Sequence, residues 1–217
     1  MPGRDYHHSR LHSPTVKHSL EERIRAVRGC IKGLGVAQRI QTWLDIGSAD
    51  GLLAQGIQAC IPGPVHVYAL DMDKQMLTYN PFFAIKADCT RLPFLDESFD
   101  LITAAAVIEH LAQPQGFLHE CCRVLNPGGL LVLTCPAPFF DWLATKIGYL
   151  KDAGHLARYS LKDLRRMCAV SGFEAAVSKR FMISPVRFPG DMRLEAVFSK
   201  IGFDICMLNQ VVAAFKR

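Results

Sequence analysis

Nowhere in its 217 residues does the chain carry an apolar run long enough to cross a bilayer, and residues 1–19 lack the apolar centre of a secretory signal. Neither a membrane span nor an export segment is therefore expected. The eight cysteines, at positions 30, 60, 89, 121, 122, 135, 168 and 206, include no Cys-x-x-Cys pair, which argues against a zinc ribbon or a thioredoxin-type motif. Scattered thiols on apolar faces suit a reducing compartment, and a cytoplasmic location is expected. Charge of one sign is also scarce. The formal net charge is +5, and part of it sits in the first eighteen residues, where Arg4, Arg10 and Lys17 face only Asp5. The remainder is closer to balance, so nucleic acid is not favoured as a partner. Internal repeats and low-complexity segments are missing too. What is present is 50% hydrophobic and 21% charged residues, the composition of one globular domain.

The hydrophobic pattern alternates between strands and helices. Residues 1–18 read as a flexible basic tail and 19–217 as one domain. Ser19-Leu20-Glu21-Glu22 has the form of a capping box, and Leu20, Ile24, Val27, Ile31 and Leu34 then recur at helical spacing until Gly33 and Gly35, predicting a helix over 19–35. Strands are expected at Trp43–Ile46, Val65–Leu70, Phe83–Ala87, Phe99–Val107, Leu130–Thr134, Phe173–Lys179 and Gln210–Phe215. Helices are expected over 51–60, from Pro114 to the Asn126-Pro127-Gly128-Gly129 stop, and from Ser160 to Gly172. An insertion over 182–203 precedes the last strand. This order implies an α/β, Rossmann-like doubly wound sheet of seven mostly parallel strands with an antiparallel last strand. Its binding crevice lies beyond the carboxyl ends of the strands.

Chemistry-bearing residues cluster at those ends. Asp45-Ile46-Gly47-Ser48-Ala49-Asp50-Gly51 runs from strand to helix through residues with little or no side chain, so that backbone N–H groups can close on a ligand. Ala49 stands among the glycines, and its methyl group asks for a φ below zero. Asp71 ends the second strand, where a carboxylate can accept both hydroxyls of a ribose. Asp73 suits a helix cap. Asp88-Cys89 ends the third strand.

The pattern Asp-x-Gly-x-Ala-x-Gly resembles the first motif of the class I S-adenosylmethionine (SAM) dependent methyltransferases, usually Asp-x-Gly-x-Gly-x-Gly. Further segments resemble, in order and spacing, the small-molecule group that includes the ubiquinone-biosynthesis enzymes: Leu92-Pro93-Phe94, Ser98-Phe99-Asp100, Glu109-His110-Leu111 and Arg123-Val124-Leu125-Asn126-Pro127-Gly128-Gly129. The resemblance covers about residues 40 to 175. It implies SAM as cofactor, held by Asp45, Gly47, Ser48, Ala49, Gly51, Asp71, Met72, Asp88, Cys89 and Ala105, with Asp88 and the N–H of Cys89 on the adenine. It also implies an enzyme that methylates a small molecule, an oxygen or carbon acceptor being favoured.

Since the sulfonium is already activated, such a protein mainly aligns the acceptor and excludes water, and a base helps where the acceptor is a hydroxyl. His110 and His155 are the candidate catalytic residues; His110 has the alternative of bonding a backbone carbonyl. Some quinone and small-RNA 2′-O-methyltransferases carry Glu-x-x-Glu-His at this point and bind Mg²⁺. Ala106 replaces the first Glu here, and no metal is expected. The stretch Ala137–Tyr159, with Phe139, Phe140, Trp142, Tyr149 and Arg158, reads either as a lid over an apolar acceptor pocket or as a packed helix. The 182–203 insertion completes that pocket or forms a homodimer face. A nicotinamide oxidoreductase would share Asp71 but leaves Asp88 unexplained. An inactive SAM-binding regulatory partner and an RNA 2′-O-methyltransferase stay as alternatives.

Overall fold

The computed structural model describes residues 7, 8, 10–146, 154–202 and 207–217. Seven strands, β1 (Thr42–Ile46), β2 (His66–Asp71), β3 (Phe83–Lys86), β4 (Phe99–Ala105), β5 (Leu125–Pro136), β6 (Phe173–Phe181) and β7 (Asn209–Lys216), form one sheet in the order β3-β2-β1-β4-β5-β7-β6. The first five pair in parallel, and β7 lies antiparallel to both β5 and β6. The chain leaves β1 outward to β3 and then returns to lay β4 on the other side of β1. That reversal opens a crevice at the carboxyl ends of β1 and β4, the usual ligand position in open α/β sheets.

Helices cover both faces. One core, with Phe99, Phe117, Leu118, Cys121, Val124 and Phe173, packs under α4 (Pro114–Val124) and α6 (Leu161–Val170). The other, with Val27, Ile31, Trp43, Ile57 and Val211, packs under α1 (Pro14–Gly33) and α2 (Leu52–Gln58). Burial on two faces explains the nearly unbroken apolar reading of β4. Trp43, fully buried, keeps its indole satisfied by donating Nε1–H to Thr103 Oγ1 at 2.8 Å. The short α3 (Lys74–Leu77) is capped by Asp73, whose side chain accepts from Gln75 and Met76 N–H, and α6 starts at a reciprocal Ser160/Asp163 capping box. Two further helices, α5 (Pro138–Lys146) and α7 (Asp191–Lys200), follow β5 and β6.

Some boundaries differ from expectation. The first helix begins at Pro14, because a proline in the first turn presets φ and needs no donor. Ser19 lies inside that helix, and Glu22 turns to Arg25 instead of capping. Residues 7, 8 and 10–12 are helical as well, within the 1–18 segment expected to be a flexible tail. β4 stops at Ala105, two residues early, because Ala106 takes a left-handed φ of +57°. β5 begins at Leu125 rather than Leu130: the Pro127-Gly128-Gly129 turn is absorbed as a register shift against Phe99 and Leu101. Among the described residues, no helix is long and apolar enough to cross a membrane.

Candidate active site

The crevice is a cavity of about 770 Å³. Gly47, Ala49, Asp71, Met72, Cys89, Ala105, His110 and His155 all line it, gathered from five strand ends and the loops beyond them. Asp45, Ser48 and Gly51 are buried outside this lining, and half-buried Asp88 is not part of it.

The turn after β1 is held from several sides. Gly47 has φ +71°, and a Cβ there would fall 2.4 Å from Val107 Cγ2. Gly51 has φ +78°, and a Cβ there would meet Asn80 Oδ1 at 2.8 Å. Ala49, for which a negative φ was expected, adopts φ +48°. It tolerates this because its N–H donates to Asp71 Oδ2 at 2.9 Å. Asn80 donates Nδ2–H to Ser48 Oγ at 3.0 Å and to the Ala49 carbonyl at 3.1 Å. Nothing in the local sequence marked Asn80 except its place before Pro81.

Asp71 also accepts from Asp73 N–H through Oδ1 at 2.8 Å, so backbone donors fix both its oxygens, each keeping a lone pair for another donor. Asp88 accepts from the Thr90 N–H and hydroxyl, both at 2.8 Å, and these bonds hold its pKa below the ordinary carboxylate value. Asp45 is buried beneath the turn. Its Oδ1 accepts from Thr103 Oγ1 at 2.5 Å, Oδ2 has no hydrogen-bond partner in the structure, and burial pushes its pKa up to about 6.

Across the cavity, a 3₁₀ turn at Ile108–His110 carries Glu109 and His110. The Glu109 carbonyl accepts from Leu156 N–H at 2.8 Å and Ala157 N–H at 3.3 Å. These bonds draw the 154–157 segment in, and the His110 and His155 rings meet edge to face with centroids 4.9 Å apart. His110 Nδ1 bonds the Gly154 carbonyl at 3.2 Å, so this nitrogen carries the proton. Burial lowers the His110 pKa and favours the neutral ring. His155 Nδ1 bonds Asp141, which also accepts from Arg158 Nε. Glu109 is 3% exposed, neither carboxylate oxygen has a hydrogen-bond partner, and burial pushes its pKa up to about 7.

The aromatic stretch contributes less than its composition suggested. Phe140 lines the cavity, whereas Phe139 and Trp142 are exposed. Tyr149 lies outside the described residues. Met182 and Pro185 bring the start of the 182–203 insertion to the cavity, and α7 docks on α1 through Glu195 and Arg25. The N-terminal segment supplies a wall: Arg10, Thr15, Val16, Ser19, Leu20 and Arg23 line the cavity. Arg10 grips the buried Asp50 through two contacts of 3.0 Å, and His7 reaches the same carboxylate at 3.0 Å.

A family model described as a methyltransferase domain matches residues 44–133. The ubiquinone/menaquinone biosynthesis C-methyltransferase of Laribacter hongkongensis is 30% identical over 176 residues, covering 74% of this chain and 68% of that protein. The equivalent protein of Vibrio campbellii is 28% identical over 177 residues, covering 76% of this chain and 64% of its own length. The chain thus spans about two thirds of these relatives. Among solved structures, a SAM-dependent methyltransferase of Thermotoga maritima superposes with a TM-score of 0.73 at 17% identity, covering 99% and 96% of the two chains. A methyltransferase of Haloferax volcanii, solved in complex with the Trm112 methyltransferase activator, gives 0.68 at 16% identity, covering 99% and 94%. With the sheet order, the matched segment and these relatives together, the chain belongs to the class I SAM-dependent methyltransferases.

Proposed function

We propose that this protein transfers the methyl group of SAM to an apolar small molecule that carries a hydroxyl, at an oxygen or at an activated carbon. The observation that carries the reading is the meeting, in one cavity, of the backbone turn at Gly47 and Ala49, the braced Asp71 carboxylate and the Glu109, His110 and His155 cluster. In this reading Asp71 accepts the ribose hydroxyls, the strand end at Asp88 and Cys89 receives the adenine, and Asp45, Ser48, Gly51, Met72 and Ala105 shape the rest of the cofactor site. The apolar walls at Leu20, Leu111, Phe140 and Met182 suit an aromatic or aliphatic acceptor body. The relatives named for quinone-biosynthesis C-methylation suggest a phenolic ring.

Methyl transfer is a displacement at sulfur's methyl carbon, so the protein's share is alignment and removal of the acceptor's proton. His110 and His155 act on that hydroxyl. In each ring Nδ1 is committed to an acceptor, which leaves Nε2 as the nitrogen with a lone pair. Calorimetry with S-adenosylhomocysteine tests the cofactor half. The wild type binds, and Asp71→Ala weakens binding by at least about tenfold, since a charged acceptor is lost. Absence of wild-type affinity, or no loss in the variant, refutes the reading.

A further inference from the structure

The expectation that no metal binds rested on Ala106, between β4 and the 3₁₀ turn, which removes a ligand carboxylate. Sequence spacing did not bring His155 to that place; the backbone bonds from Leu156 and Ala157 to the Glu109 carbonyl do. We propose that Glu109, His110 and His155 form a binding site for one divalent first-row transition ion of the Zn²⁺ type.

Three observations carry this. Each residue offers one ligand atom, and the three atoms lie within 4.8 Å of one another. Binding at about 2.1 Å from each would close these separations to roughly 3.4 Å, a change within reach of side-chain rotation. Next, both histidines carry the outer contacts that metal-ligating histidines usually have. Nδ1 of His155 is held by the Asp141 carboxylate and Nδ1 of His110 by a backbone carbonyl. Such outer contacts fix the tautomer and leave Nε2 for the ion. Finally, Glu109 is 3% exposed, lines the cavity, and neither of its oxygens has a hydrogen-bond partner. A buried carboxylate without a partner is costly, and a cation in the cavity supplies the missing partner.

The donor set selects the ion. Two imidazoles and one carboxylate suit Zn²⁺, Co²⁺ or Fe²⁺, whereas Mg²⁺ prefers an all-oxygen octahedron. Three protein ligands leave a position toward the cavity, where an ion polarises an acceptor hydroxyl. Binding of the ion is separable from methyl transfer, and its test needs no acceptor.

Full-length protein stripped with a chelator is titrated with Zn²⁺ and, separately, with Mg²⁺ by calorimetry, and Co²⁺ is followed by its visible absorption. One Zn²⁺ per chain is expected, bound at least about a hundredfold more tightly than Mg²⁺. Glu109→Gln and His155→Ala each abolish that site, Asp141→Asn weakens it by about 10- to 100-fold, and His119→Ala, on exposed α4 surface, leaves it unchanged. His8 and His12, with ring centroids 4.3 Å apart, form the obvious competing place for an adventitious ion. Zinc binding that survives both Glu109→Gln and His155→Ala therefore overturns the proposal. So does a wild type that binds no Zn²⁺, or one that binds Mg²⁺ as tightly. In any of those outcomes the histidines act as free bases, and S-adenosylhomocysteine binding, measured on the same stripped protein, still reports on the cofactor site.

Discussion

Ala49 and Gly47 share a left-handed backbone, φ +48° and +71°, but they stand in different steric surroundings. A residue with a Cβ costs about 1–2 kcal/mol in this region, so Ala49 carries a local strain that the Asp71 bond offsets. Ala49→Gly is expected to remove that strain at the cost of some unfolded-chain entropy, raising stability by up to about 1 kcal/mol, read as a rise of about 2–4 °C in melting temperature. Gly47→Ala goes the other way. Its new methyl group meets Val107 Cγ2 at 2.4 Å besides requiring the strained φ, so both the melting temperature and the affinity for S-adenosylhomocysteine are expected to fall. Adding Val107→Ala relieves the collision but not the backbone term. Calorimetry on the double variant should therefore show partial recovery only.

Elements whose signals are local were readable in the sequence. The strand-helix alternation gave the seven strands, and Ser160/Asp163 and Asp73 cap the helices they were expected to cap. The signals that failed were those with a distant competitor. Ser19-x-x-Glu22 has the right letters for a cap, yet Pro14 starts the helix earlier and Glu22 is drawn to Arg25. His155 is 45 positions from His110, and only backbone bonds to the Glu109 carbonyl bring the two together. The N-terminal segment is the largest such case. Its wall over the cavity depends on Arg10 reaching Asp50, which is buried at the far end of the β1 turn, and on His7 stacking on Tyr79 at 4.0 Å. Arg10→Ala removes a charge-assisted pair worth roughly 1–3 kcal/mol. Bound S-adenosylhomocysteine is then expected to dissociate about tenfold faster in stopped-flow displacement, and residues 7–13 to become a protease-sensitive site.

At the scale of the whole molecule, the sheet imposes a pH dependence of stability through Asp45. The strand needs this residue at the β1 end, yet the two cores on either side of the sheet leave it buried. Desolvation outweighs the hydrogen bond from Thr103 and raises its pKa from 3.8 to about 6. The folded state therefore binds a proton that the unfolded chain has released across this window. The associated stability is present in full below about pH 4 and is lost as pH rises through 6, by up to about 3 kcal/mol at 1.36 kcal/mol per pKa unit. Asp88, Asp100, Glu120 and Asp163, held below their ordinary values, act oppositely: their contribution is present above their unfolded values and fades on acidification. Stability of the cofactor-free protein should thus peak between these two falls and decline toward neutrality. In Asp45→Asn, where Thr103 can still donate to the amide oxygen, the decline between pH 4 and 6 should become shallower while the acid limb remains, the residual slope belonging to buried Glu109, raised from 4.5 to about 7. Urea unfolding at half-unit pH steps measures both limbs. A variant curve that keeps the wild-type slope between pH 4 and 6 would place the buried charge elsewhere in the sheet.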